Sequence, residues 1–194
     1  MKFKLKSVIV RLDFSFFAVL ALVLFVDKSG CAVLSFIASV CHEAGHLIVL
    51  FAEKNIPECI TLCGGGIKIS KCKHKASVPV LLAGSLSNFL LGFIFVAVSD
   101  WTSVFPLLFA YANFLIGAFN LLPLNNLDGG QLVTLIAERL LKPESAYKAV
   151  LLAQILGLAV IVASVVAAIC GGLINTTFFL VLIYIFLLDI LVKL

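Results

Sequence analysis

Residues 31–52 read Cys31-Ala-Val-Leu-Ser-Phe-Ile-Ala-Ser-Val-Cys-His-Glu-Ala-Gly-His-Leu-Ile-Val-Leu-Phe-Ala52, and the reading of this stretch decides the fold. At ~1.5 Å per residue, a helix of ~20 residues crosses the ~30 Å hydrocarbon layer of a bilayer. Outside His42, Glu43 and His46 the stretch carries no ionisable group other than thiols. Each ionisable residue inside a span costs about 2.5–3.5 kcal/mol on insertion scales, so three within five positions need a purpose. The stretch therefore reads as a membrane span that carries chemistry.

The rest of the chain supports a membrane setting. Of 194 residues, 63% are hydrophobic and 12% charged, against about half and a quarter in soluble domains. Mean hydropathy is +1.23, and the apolar residues fall in long runs. The expected fold is an all-α polytopic membrane protein forming one integral-membrane domain over 1–194, with about six transmembrane helices at 8–26, 31–52, 79–98, 104–124, 147–169 and 173–192. The first span is expected to stay, because Asp27 and Lys28 follow it in place of a small-residue cleavage site. Between spans two and three, Ile60, Leu62, Ile67 and Ile69 surround Gly64-Gly65-Gly66. That pattern predicts a small membrane-associated β-hairpin over 56–70. Irregular backbone at membrane depth is tolerated only against protein or a wet cavity, so the hairpin implies a polar cavity nearby.

Charge placement orients this layout. With a cytosolic N-terminus, six spans put every Lys and Arg except Lys28 on the inner side, out of 14. The positive-inside rule expects that bias. Both termini are then cytosolic, and the motif end of span two faces the cytosol of what reads as a bacterial cell membrane. The net charge of +4 becomes a topology signal and gives no ground for nucleic-acid binding.

On a helix, His42 and His46 share one face about 6 Å apart, so their imidazoles can grip one zinc ion. Glu43 between them is placed to act as general base on a water activated by the metal. A catalytic zinc takes a third protein ligand. Asp128 is the best placed candidate, at the inner end of span four, but Asp-Gly is also a common turn, and position alone leaves both readings open. Asp13 and Asp189 lie in other spans, Asp27 and Asp100 outside, and the loop glutamates read as surface charges.

His42-Glu43-Ala44-Gly45-His46 on one span, with Asn120-Leu-Leu-Pro123 through Leu127-Asp128-Gly129-Gly130 on a later one, resembles the site-2 protease family of intramembrane metalloproteases. Ala83-Gly84-Ser85-Leu86-Ser87-Asn88 is similar to that family's small-residue-plus-Asn motif, and the resemblance covers about residues 8 to 140. It implies that His42, His46 and Asp128 bind one Zn2+ ion, with Glu43 as catalytic base. The implied activity is regulated proteolysis of a membrane-spanning or membrane-associated protein near the cytosolic face, with regulatory membrane proteins as further partners. The layout looks closest to the sporulation-type branch, without its C-terminal nucleotide-sensing domain. Two departures stand out: Ser85 occupies a position where the family usually has Pro, and no Pro accompanies Asn125 and Asn126.

Asn88 is a candidate for substrate or oxyanion binding; the alternative is an interhelical hydrogen bond among small residues. Asn120 is a weaker candidate for shaping the substrate groove. Gly65 and Gly66 belong to a turn whose strand edge can hold an extended substrate, or to an ordinary amphipathic loop. Cys59, Cys63, Cys72 and His74 match ribbon or finger spacings poorly and read as reduced thiols. Three rival functions remain: a transporter using His and Glu as a relay, a silent membrane scaffold, and a membrane metalloprotease with a glutamate as third ligand. The absence of a visible inverted repeat speaks against the first, and the intact His42, Glu43, His46 and Asp128 against the second.

Overall fold

The structure, a computed structural model, describes residues 2–5, 8–27, 30–63, 66–70, 77–99 and 104–171. The chain divides into two compact units, Met1–Phe119 and Asn120–Leu194.

The first unit opens with strands. Val8, Ile9 and Val10 are β-branched and suit a pleated backbone. β1 (Lys2–Leu5) pairs antiparallel with β2 (Val8–Leu12), Lys2 opposite Arg11. β2 pairs parallel with β3 (Cys59–Cys63), Ile9 opposite Cys59. β3 pairs antiparallel with β4 (Gly66–Ser70), Ile60 opposite Ile69, giving a four-stranded sheet in the order β1-β2-β3-β4. Parallel neighbours need a long crossover, supplied here by α1 (Phe14–Val26) and α2 (Cys31–Ala52).

The ends of α2 are closed by local chemistry. Gly30 enters at φ 78°, a left-handed conformation that side chains resist, and the Asp27 carboxylate accepts the Ala32 N–H. At the other end Lys54 turns to φ 56°. Its N–H donates to Phe51 O at 3.0 Å and that of Asn55 to Leu50 O at 2.9 Å, a Schellman closure. Ser77 then caps α3 (Val78–Val98), its Oγ accepting the Val80 N–H at 3.3 Å and donating to Glu53 Oε1 at 2.6 Å. The end of α2 is thereby tied to the start of α3.

Small residues let α2 and α3 approach closely. A Cβ on Gly45 would stand 2.7 Å from Ala83 O. α4 (Val104–Asn120) completes the unit, with the Phe93 and Phe114 rings edge to face at 5.0 Å. Leu86, Leu90 and Phe93 of α3 point outward and exposed, as suits a lipid-facing surface.

In the second unit, residues 121–127 turn into α5 (Asp128–Leu140), and α6 (Pro143–Cys170) follows. Pro143 stands at the first helical position, where a missing N–H does no harm.

The six-span, all-α expectation is corrected. Among the described residues, three helices are long and apolar enough to cross a bilayer: Cys31–Ala52, Val78–Val98 and Pro143–Ala167. The stretch 8–26 divides into β2 and the 13-residue α1, because Val8–Leu12 finds β3 as a partner. The helix over 104–124 leaves its axis at Asn120, before Pro123, and has 17 residues. Residues 173–192 lie outside the described residues. The strands expected over 56–70 do pair, with Leu62 opposite Ile67, but as one half of a four-stranded sheet and not as a lone hairpin. The protein is thus helical with a small sheet, and integral to the membrane through its long apolar helices.

Candidate metal centre

The helical repeat of α2 sets His42 and His46 one turn apart on its inner face, 3% and 6% exposed. Their rings meet edge to face, centroids 4.8 Å apart, and their Nε2 atoms are separated by 3.1 Å.

The opposite ring nitrogens fix what those Nε2 atoms are. His46 Nδ1 donates to Val80 O at 2.7 Å, in the first turn of α3. His42 Nδ1 lies 2.7 Å from Asn88 Oδ1. The Asn88 amide is oriented by its own donation to Ala38 O at 2.9 Å, which leaves its oxygen for His42. Both acceptors are carbonyl oxygens, so both Nδ1 atoms carry the ring proton. The two Nε2 atoms therefore face each other as lone pairs. A cation between them would take both lone pairs.

The donor set fits zinc. Two Zn–N bonds of ~2.0–2.1 Å at a tetrahedral angle put the nitrogens roughly 3.3 Å apart, close to the observed separation. Oriented Nδ1–H groups donating to carbonyls are the usual support of zinc-binding imidazoles. Gly84 forms the wall opposite, and a Cβ there would stand 2.4 Å from His46 Nε2 and 2.6 Å from His42 Nε2. The space beside the two lone pairs exists because residue 84 has no side chain.

Asp128, half-buried, is the first residue of α5. One ligand atom from each of His42, His46 and Asp128 lies within 4.8 Å of the others. Glu43 is half-buried on α2, on the residue next to His42.

Of the remaining candidates, Asn88 is fully buried and engaged with His42, so its placement is both interhelical and directed at the metal centre. Asn120 is half-buried at the end of α4, Gly66 opens β4, and Gly65 lies outside the described residues. Sequence reasoning missed three contributors: the carbonyl of Val80, the bare wall at Gly84, and Asn113, which is fully buried on α4 and bonded to Asn88. A polar residue within an apolar span was the available signal for Asn113. A backbone carbonyl leaves none.

Residues 97–164 match the peptidase family M50. A zinc metalloprotease of Methanocaldococcus jannaschii is 30% identical over 117 residues, covering 55% of this chain and 34% of that protein. The chain thus spans about a third of the length of that curated relative. The solved structure of a site-2 protease from Methanocaldococcus jannaschii aligns with a TM-score of 0.60 at 21% identity, covering 89% of this chain and 86% of that one. That likeness speaks to the fold.

Proposed function

We infer, from the likeness to peptidase family M50 and to a zinc metalloprotease, that this chain belongs to the site-2 protease family and hydrolyses peptide bonds in or beside membrane-embedded segments of other proteins. The observation that carries the reading is the buried pair of His42 and His46 Nε2 atoms, 3.1 Å apart, with a ligand atom of Asp128 within 4.8 Å of the pair. Neutral imidazoles and a carboxylate are the donors a catalytic zinc takes.

When bound, zinc polarises a peptide carbonyl and makes water nucleophilic at neutral pH. Asn88 and Val80 hold the two rings so that nitrogen lone pairs, not protons, meet the ion. Glu43 takes the proton of the attacking water and delivers it to the leaving amine. Gly84 leaves room on the α3 side for the ion.

A peptide bond inside a helix has its carbonyl occupied, so the substrate segment unwinds before it is cut. Asn120, Gly65 and Gly66 are proposed to contact it in that extended form. Lys54, Lys68, Lys71, Lys73 and Lys75 gather in the connection between α2 and α3, which supports a cytosolic site and cleavage near that face. The helix preceding the metal motif supports the sporulation-type branch, with regulatory membrane proteins as partners and a bacterial membrane as the setting. We take residues 1–194 as one protease domain.

The test compares the purified chain with Glu43→Gln for zinc content and for cleavage of a tethered model substrate. One zinc in each, with cleavage lost in the variant alone, supports the reading. A well-folded wild-type chain with neither zinc nor cleavage overturns it.

A further inference from the structure

We propose that Asn113 is a positioning residue for the metal centre, acting through Asn88 to hold His42 in the tautomer that turns a lone pair toward His46. The proposal rests on the zinc reading above and adds a residue from α4, a helix that supplies no ligand.

Four hydrogen bonds make the chain of control. Asn113 Nδ2 donates to Phe109 O, one turn back on α4, at 2.8 Å. That bond turns Asn113 Oδ1 toward α3, where it accepts from Asn88 Nδ2 at 2.9 Å. The other proton of Asn88 Nδ2 goes to Ala38 O on α2 at 2.9 Å. Asn88 Oδ1 is left to accept from His42 Nδ1 at 2.7 Å. Both asparagines are 0% exposed, so bulk water does not compete for these partners.

The alternative state shows what Asn113 contributes. Rotating the Asn88 amide by half a turn would present its NH2 to His42 Nδ1. The ring proton would then belong on Nε2, on the side that must meet the ion. In that rotated state the Asn88 oxygen would face two carbonyl oxygens, those of Ala38 and Asn113. Ala38 opposes the rotation from the backbone and Asn113 from a side chain, itself locked by Phe109. Removing Asn113 halves the opposition and frees one Asn88 proton. Partners behind zinc-binding histidines typically change metal affinity by ~10–100-fold; a residue one step further back belongs at the low end.

The test uses the full chain in detergent with 15N-labelled histidine. In metal-free wild-type protein, the His42 nitrogen shifts should report the proton on Nδ1. Asn113→Leu, branched alike at Cγ but larger and without an acceptor, should move His42 toward the Nε2–H form and weaken zinc binding by about 10-fold in chelator competition. Asn113→Asp, whose neutral carboxyl in this buried site keeps an acceptor for Asn88 and an O–H donor for Phe109 O, should retain both wild-type readouts. In an Asn88→Leu background, Asn113→Leu should cause no further loss of affinity. Lower thermal stability in Asn113→Leu, with tautomer and zinc affinity unchanged, overturns the proposal in favour of simple helix packing. If Asn113→Leu does not fold, Asn113→Ser, too short to reach Asn88, takes its place against Asn113→Asp, and equal affinities in those two overturn it. A wild-type chain that takes up no zinc, yet shows the tautomer shift on substitution, supports the Asn113 link while overturning the zinc reading.

Discussion

Gly84 lies so close to His46 that a Cβ built on it would stand 2.4 Å from the ring's Nε2. Gly84→Ala therefore puts a methyl group where the ion has to sit, 2.6 Å from the other Nε2 as well. The helix itself tolerates alanine better than glycine by about 1 kcal/mol, which offsets part of the cost of pushing the two rings aside. The expected outcome is a folded protein whose zinc content falls below about a tenth of wild type, a larger loss than the ~10–100-fold affinity effects of supporting residues predict at saturating metal. Metal analysis alongside a thermal melt checks it, and full zinc occupancy in the variant would show that the ion lies elsewhere.

Gly130→Ala should disturb Asp128 through the backbone. A Cβ at residue 130 would fall 1.9 Å from Leu124 O, and one at residue 129 would fall 2.1 Å from Leu121 O. Both neighbours are backbone atoms of the loop that leads into α5, so no side chain can swing aside. Displacing that loop moves the first turn of α5, and with it the carboxylate. Gly130→Ala and Gly129→Ala are each expected to destabilise by about 2–4 kcal/mol, in the range of overpacked or strained sites, and to lower zinc affinity together with stability. Unfolding midpoints and chelator competition on the same samples read the two effects.

Ser85→Ala should stabilise the protein. The Ser85 hydroxyl is buried and, among the described residues, is the one buried side-chain polar atom without a hydrogen-bond partner. An unsatisfied buried group costs about 1–3 kcal/mol. The alanine variant is expected to melt higher by the equivalent of about 1 kcal/mol, with zinc binding unchanged. A lower melting point would mean that the hydroxyl has a partner, such as an internal water.

Lys54→Gly should also stabilise, for a different reason. Lys54 holds φ at 56° to close α2, a conformation that costs a side-chain-bearing residue roughly 1–2 kcal/mol and glycine little. Greater freedom of glycine in the unfolded chain offsets part of that gain. A net increase of roughly 0.5–1 kcal/mol in unfolding free energy is expected, read from denaturant midpoints, and a decrease would show that the lysine stem contributes packing that outweighs the strain.

How much was legible in the sequence follows from the range of each signal. His42 and His46 could be paired from their spacing alone, because a helical turn is local geometry. The pairing of β3 with β4 was also local, marked by glycines between two short apolar runs. β1 and β2 were not legible, because Val8-Ile9-Val10 is as apolar as a helix start and its parallel partner lies far along the chain. Hydropathy measures transfer out of water and does not distinguish a paired strand from a span. The same blindness hid the support of the metal site: Val80 contributes through a carbonyl common to every residue, and Gly84 through the absence of atoms.

The parallel pairing of β2 with β3 has a consequence for how the chain is made. Ile9 and Cys59 are fifty residues apart, with α1 and α2 between them. As the polypeptide leaves the ribosome, β2 can find β1 at once, but β3 emerges only after both helices have been synthesised. Contacts of such long sequence separation form late and slow folding. The sheet therefore acts as a clasp that shuts after insertion, bringing the start of α1 and the chain just beyond α2 to the same place. Until it shuts, nothing in the sheet yet holds the start of α1 beside the end of α2.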